Sequence, residues 1–245
     1  MKNQYVGDVG DYGKYGLLYF LAEHGIKTGV NWYLTINDCS DDGKFTDYSK
    51  DIDYNKPLYE ALAKINKKDK DKKVEDVENA NIIPGAVFFH EELQTTNLQE
   101  RTEWFQRSMD TLLKKDVNLI FADPDNGTLR EDRKPTFKNG IKYATLEELR
   151  RYYDEGKNVV YYCHKGRRKP EKWQEKMKEF NDDGHDAKII VLTFHRGTQR
   201  SFIFAIHPTE FNDYDDQLKA FLKTKWGTHK SQKNKNFPFT LEELK

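Results

Sequence analysis

The chain has little cysteine, no long apolar run and no net charge. Its 245 residues hold two cysteines, Cys39 and Cys163. Neither belongs to a Cys-x-x-Cys pair or a Cys/His cluster, so no zinc site is read from ligand spacing. They read as two reduced thiols. No apolar run approaches the roughly 18 residues that a membrane-spanning helix needs. No apolar stretch follows Met1-Lys2-Asn3-Gln4, so no secretory signal is read. A cytoplasmic protein with no membrane partner is expected. With 41 basic and 41 acidic residues the formal charge is zero. Contact with nucleic acid must therefore come from local basic patches rather than a global field.

What is present suits a folded enzyme. Apolar residues make up 36%, charged residues 33% and aromatics 13%, which gives a polar surface over a core rich in rings. Helical and strand-like runs alternate. Helices are predicted over 14–24, 57–65, 98–114, 146–153, 172–180 and 214–222. Strands are predicted over 30–36, 82–89, 117–122, 158–162, 189–194 and 201–206. The run 117–122 is apolar throughout, as in a sheet covered on both faces. The short gap between 194 and 201 predicts an antiparallel C-terminal hairpin. The expectation is one α/β domain over 1–245 with a mostly parallel sheet and helices on both faces. The Lys-rich tail after Trp226 reads as mobile.

Ligands of open α/β sheets bind outside the carboxyl ends of the strands. The segment leaving 117–122 is Asp123-Pro124-Asp125-Asn126-Gly127. Two carboxylates and an amide at a strand end, stiffened by proline and turned by glycine, point to Asp123, Asp125 and Asn126 as catalytic. The N-terminal segment Gly7-Asp8-Val9-Gly10-Asp11-Tyr12-Gly13-Lys14-Tyr15-Gly16 reads as a glycine-rich approach to a helix, where backbone can meet an anion. Asp8, Asp11, Tyr12, Lys14 and Tyr15 are its candidate substrate contacts.

Two later strand ends are basic. One carries His164, Lys165, Arg167 and Arg168, the other His195, Arg196 and Arg200. Arginine and lysine beside glycine suit phosphate oxygens. Two such loops beside an acidic one make nucleic acid, DNA before RNA, the expected partner. Tyr12, Tyr15, Tyr161 and Tyr162 are candidates to stack a base. His207-Pro208, at the end of the last strand, is a further candidate for the rim. No metal site is read as the leading expectation, and the oligomeric state is left open.

The order of these motifs resembles the RlmJ-type ribosomal RNA adenine-N6 methyltransferases, a branch of the class I methyltransferase fold. Gly7-Asp8 through Asp11 and Lys14-Tyr15 sit like that family's opening element. Trp32-Tyr33-Leu34 and the residues to Gly43 sit like its first strand and cofactor loop. Pro84-Gly85, Asp123-Pro124-Asp125-Asn126 and Ile206-His207-Pro208 fall in order after them. The resemblance implies a Rossmann-like sheet and a nucleic-acid substrate. The sequence departs from it in two places. The stretch 36–43 has one glycine and three carboxylates where the family has a glycine-rich loop for S-adenosylmethionine. The second proline and the aromatic of the Asp-Pro-Pro-Tyr loop are replaced by Asp125 and Asn126.

Four readings follow. The leading one is a hydrolase that needs no cofactor and excises a flipped base from DNA, an N-glycosylase, with a role against modified phage DNA as its extension. The others are a methyltransferase using S-adenosylmethionine, a Mg²⁺ nuclease on Asp8, Asp11, Asp38 and Asp123, and a non-catalytic nucleic-acid-binding module.

Overall fold

The computed structural model describes residues 1–38, 40, 43–130, 132–230 and 236–244. In chain order the elements are α1 (Val9–Glu23), β1 (Thr28–Asn31), α2 (Lys56–Asn66), α3 (Val74–Asn79), β2 (Val87–Phe89) and α4 (Leu98–Leu112). There follow β3 (Leu119–Ala122), α5 (Leu146–Asp154), β4 (Asn158–Cys163), α6 (Pro170–Lys178), β5 (Lys188–Phe194) and β6 (Arg200–Ile206). Last come α7 (Phe211–Lys223), α8 (Lys225–Thr228) and β7 (Phe239–Leu241).

The strands form one mixed sheet in the order β2-β1-β3-β4-β6-β5-β7. β1 is parallel to β2 and to β3, and β3 is parallel to β4. β6 runs antiparallel to both β4 and β5, and β7 is antiparallel to β5. The carboxyl ends of β3, β4 and β5 therefore lie at one end of the sheet. Along β3 the side chains alternate between two cores. Leu119 and Phe121 pack with residues of α1, α2, α3, α7 and α8, while Ile120 and Ala122 pack with α4, α5 and α6. Both faces of β3 are covered, which is why its sequence is apolar without alternation.

Several expectations are corrected. The strand expected over 30–36 ends at Asn31, because Tyr33 has φ 43, which an extended strand cannot contain. Its N–H instead donates to Asn31 Oδ1 at 3.0 Å. The strand expected over 82–89 shrinks to β2, since the turn at Gly85, φ +69, precedes it. The tail after Trp226 is not a loose extension where it is described, because β7 adds an edge strand to β5. Residues 231–235 of that tail lie outside the described residues, as do Cys39, Asp41 and Asp42.

The largest correction concerns the start of α1, which takes in Gly10, Gly13 and Gly16, while Gly7 precedes its cap. Asp8 caps the helix by accepting from the Asp11 N–H at 2.8 Å. Glycine lowers helix propensity, and four of them pushed the expected start to residue 14. Gly10, Gly13 and Gly16 recur every three residues and share a face. A Cβ added to each would come within 2.1 Å of Arg200, 2.6 Å of Phe194 and 2.2 Å of Trp226. These glycines let α1 pack tightly against the rest of the chain, and Gly10 also lines the cavity at the mouth of β3 and β4.

Candidate active site at the mouth of the central strands

β3 ends at Ala122, and the Asp123 N–H continues its ladder by donating to Asn31 O at 3.0 Å. The loop that follows is pinned. The Asn126 N–H donates to Lys142 O at 2.8 Å, and the Ala144 N–H donates to Gly127 O at 3.1 Å. Gly127 has φ +79, and a Cβ there would lie 3.0 Å from Cys163 Sγ. Glycine is thus required both by the turn and by the close approach to the end of β4.

Asp123 is buried, and its charge is met by Lys14. The Lys14 ammonium lies 2.6 Å from Asp123 Oδ2 and 2.6 Å from Asp11 Oδ1. Asp11 Oδ2 in turn accepts from the Tyr15 hydroxyl at 2.9 Å and the Gly7 N–H at 3.0 Å. Burial works against the Lys14 charge, but Asp11 and Asp123 outweigh it and hold its pKa above the ordinary lysine value. Asp8, at the head of α1, pairs with Arg200 at 3.1 Å. The α-amino group of Met1 donates to Asp123 O at 2.8 Å and to Tyr33 O at 3.3 Å.

Asp125 is somewhat less buried than Asp123, its side chain 13% exposed against 7%. Its nearest ammonium groups are Lys2 at 3.5 Å and Lys142 at 3.8 Å, and both lysines also face Asp38. Hydrogen bonds from Lys2 and Ser40 hold the Asp38 carboxyl below the usual carboxylate range. His164, after β4, shares a 2.8 Å hydrogen bond between Nε2 and the Tyr162 hydroxyl. Burial, then Arg200, pushes the His164 pKa down, so its ring is neutral at pH 7.

These groups surround one cavity of about 560 Å³, within the range of small-molecule sites. Of the residues expected from sequence, Asp8, Asp11, Lys14, Asp123, Asp125, Asn126, Tyr162, His164 and Arg200 line it. The others do not. Tyr12 is buried, stacked on Tyr48 at 4.6 Å, with its hydroxyl donating to Asp51 O at 2.9 Å. Tyr15 is buried beneath Asp11. Neither ring has an exposed face for a base. Arg196 is 2% exposed and donates to the Tyr54 hydroxyl at 2.8 Å, so it is a core residue rather than a grip on a phosphate backbone. His195 bonds Thr240 Oγ1 at 2.7 Å. Lys165, Arg167 and Arg168 stand on the loop after β4, at the same end of the sheet but outside the cavity. His207 lies at the opposite end of the sheet, because β6 runs antiparallel; its ring stacks on Tyr153 at 3.8 Å.

Sequence reasoning missed Lys142 and Phe45, which also line the cavity. Lys142 had no signal, since only the folding of 140–144 against the Asp123 loop brings it there. Phe45 had one, a bulky aromatic at the end of a polar loop. For a metal, the donor set is unfavourable: Lys14 stands between Asp11 and Asp123, and Asp38 faces two lysines. Among the described residues no group of three or more His, Cys, Asp or Glu side chains is arranged to hold an ion. Among them, too, no helix is long and apolar enough to cross a membrane. No protein-family model matches the chain, and no curated protein matches it in sequence.

Proposed function

We propose that the chain is a nucleobase-directed hydrolase acting on DNA, an N-glycosylase working on a flipped nucleotide. The observation that carries this reading is the joint placement of Asp125 and Asn126 with Arg200, Lys142 and His164 around one cavity at the mouth of β3 and β4. Cleavage of an N-glycosidic bond develops positive charge on the sugar, and a nearby carboxylate stabilises it. Asp125 supplies that carboxylate. It accepts a proton from the attacking water as the water oxygen bonds to C1′; the C1′–N bond breaks, its electron pair leaves with the base, and the base takes up the proton so that the carboxylate is restored. The Asn126 amide both donates and accepts, so it can hold either the water or the base edge. Lys142 and Arg200 offer cations to the flanking phosphates. Asp123, buried and held by Lys14, positions the loop.

The Rossmann-like reading of the sheet is supported by its connections. The path from β1 to β2 passes through α2 and α3 over one core, and the path from β2 to β3 passes through α4 over the other. β2 and β3 flank β1 on opposite sides, so a topological switch point lies between β1 and β3. Ligands bind outside such a point; the cavity lies beside it, at the ends of β3 and β4.

That order also favours a second reading, the S-adenosylmethionine-dependent nucleic-acid methyltransferase implied by the resemblance to the RlmJ-type family. The residues present do not fit the cofactor. The Met1 amine rests on Tyr33 O and Asp123 O, Lys2 pairs with Asp38, and the Gln4 side chain donates to Asp38 and Ser40. The N-terminal segment thus fills the ground after β1 where the cofactor belongs, and no step is routed through it. The two readings part in one experiment. Normal and base-modified DNA, single-stranded and duplex, is incubated with the chain and with Asp125→Asn, and abasic sites are counted. The hydrolase reading expects sites from the unaltered chain and few from the variant. Intact DNA across the panel, with calorimetric heat on adding S-adenosylmethionine, overturns it.

A further inference from the structure

One wall of the cavity is explained by no ion pair. Phe45 stands at its mouth with 56% of its surface exposed. The other exposed large apolar side chains among the described residues, from Ile36 to Leu244, do not line the cavity. Exposed single apolar residues are ordinary on protein surfaces; an exposed aromatic ring at the edge of a charged concavity is less so.

The backbone that carries the ring is anchored. Phe45 O accepts from the Val9 N–H, the first residue of α1, at 2.9 Å. Two residues earlier Gly43 has φ +83, and a Cβ there would lie 2.4 Å from Gln4 O. The segment is therefore seated against both the head of α1 and the N-terminal turn. The same cavity presents the Asn126 amide and the Asp125 carboxylate, which suit a hydrogen-bonding edge. A ligand that satisfies both walls is planar, with an apolar face and a polar rim, and a nucleobase has that chemistry.

We infer that Phe45 is the platform on which the flipped base stacks in the cavity, and so a determinant of which ligands are accepted. The inference rests on the reading that the cavity takes a nucleobase. Truncation at such a platform weakens binding by about 5- to 150-fold, the range measured for base–aromatic stacking.

The test uses the full chain and single-stranded oligodeoxynucleotides carrying one 2-aminopurine. Affinity is read by anisotropy of an end label and stacking by the 2-aminopurine signal. Binding to the unaltered chain with a change of that signal is expected. Phe45→Ala should lose the signal change and bind at least about 5-fold more weakly, while Phe45→Trp keeps both. Because the ring is more than half exposed, the thermal midpoint of Phe45→Ala should match that of the parent. Equal affinity and signal in Phe45→Ala overturn the platform, as does an unaltered chain that does not bind the probe. Abasic-site counts separate this from the hydrolase reading. Signal that depends on Phe45 with no abasic sites on any substrate leaves the platform and removes the hydrolase. Abasic sites formed with the same KM by Phe45→Ala do the reverse.

Discussion

Asp123 and Asp125 flank one proline yet sit in different surroundings. Asp123 is 5% exposed and meets Lys14 at 2.6 Å, inside a cluster closed by Asp11 and Tyr15. Asp125 faces the cavity, and its nearest cations stand 3.5 and 3.8 Å away and are shared with Asp38. In an extended strand two residues this far apart would share a face; here the chain turns at Asp125 and Asn126, which lets the two side chains part. Charge attraction grows as water is excluded, so the first cluster ties α1 to β3. The second leaves a carboxylate able to meet a ligand. Two acids that look equivalent in the sequence thus divide into one held in a buried ion-pair cluster and one proposed to act.

The strongest way to break this contrast is to remove Lys14. Lys14→Met leaves two buried carboxylates without their cation, and losing one partner of a buried pair costs about 3–5 kcal/mol. Urea unfolding should show a loss of that order. A loss below about 1 kcal/mol, the scale of an exposed pair, would erase the distinction. Asp125→Asn is the complementary change. Its pairs are long and asparagine keeps its shape, so stability should move by clearly less than in Lys14→Met, while abasic-site formation falls at least about 100-fold. Unfolding of Asp125→Asn at the midpoint of Lys14→Met would show that both carboxylates are structural.

Why the sequence disclosed one half of this and hid the other can be traced to particular residues. The run 117–122 and the turn after it were legible, because a buried parallel strand is apolar throughout and its end must be polar. The parallel course of β4 and β5 brought His164 and Arg200 to the expected rim. Tyr12, Tyr15 and Arg196 were misread because their types are common to binding sites and cores. Tyr12 and Arg196 are buried against Tyr48, Asp51 and Tyr54, and Tyr15 against Trp32, contacts that no local pattern announces. The ion pair of Lys14 with Asp123 spans 109 residues, and no local pattern encodes it. The start of α1 was hidden by glycines whose cost to the helix is offset by tight packing.

That packing offers a subtler change. Gly13→Ala puts a Cβ 2.6 Å from the Phe194 ring. Overpacking of this kind costs about 1–3 kcal/mol, against about 0.5–1 kcal/mol gained by replacing a helical glycine. The clash wins, with a net loss of roughly 1–2 kcal/mol in urea unfolding. Since α1 carries Lys14, the variant should disturb the Asp123 cluster more than the cavity mouth, and oligonucleotide affinity should change less than stability does. Gly25, with φ +86 and nothing near its missing Cβ, is the control for backbone strain alone. Equal losses in Gly13→Ala and Gly25→Ala would remove packing as the explanation.

The smallest expected effect belongs to His164, which joins the two regions by lying beside Asp125 while feeling the charge of Arg200. Burial first, then Arg200, lowers its pKa from the model-peptide value of 6.5. A folded chain that binds this proton less tightly than the unfolded chain gains stability as pH rises through the interval below 6.5. The contribution is fully present above pH 6.5 and is lost as pH falls toward the folded value. His164→Gln should therefore flatten the stability profile below pH 6.5 while leaving it nearly unchanged at pH 8. Histidine NMR titration of the unaltered chain supplies the direct check. A His164 resonance that titrates above 6.5 would mean that Asp125 governs the ring more strongly than burial and Arg200 do. The cavity would then hold an imidazolium beside its carboxylate, and the division between a fixing cluster and an acting one would have to be redrawn around that pair.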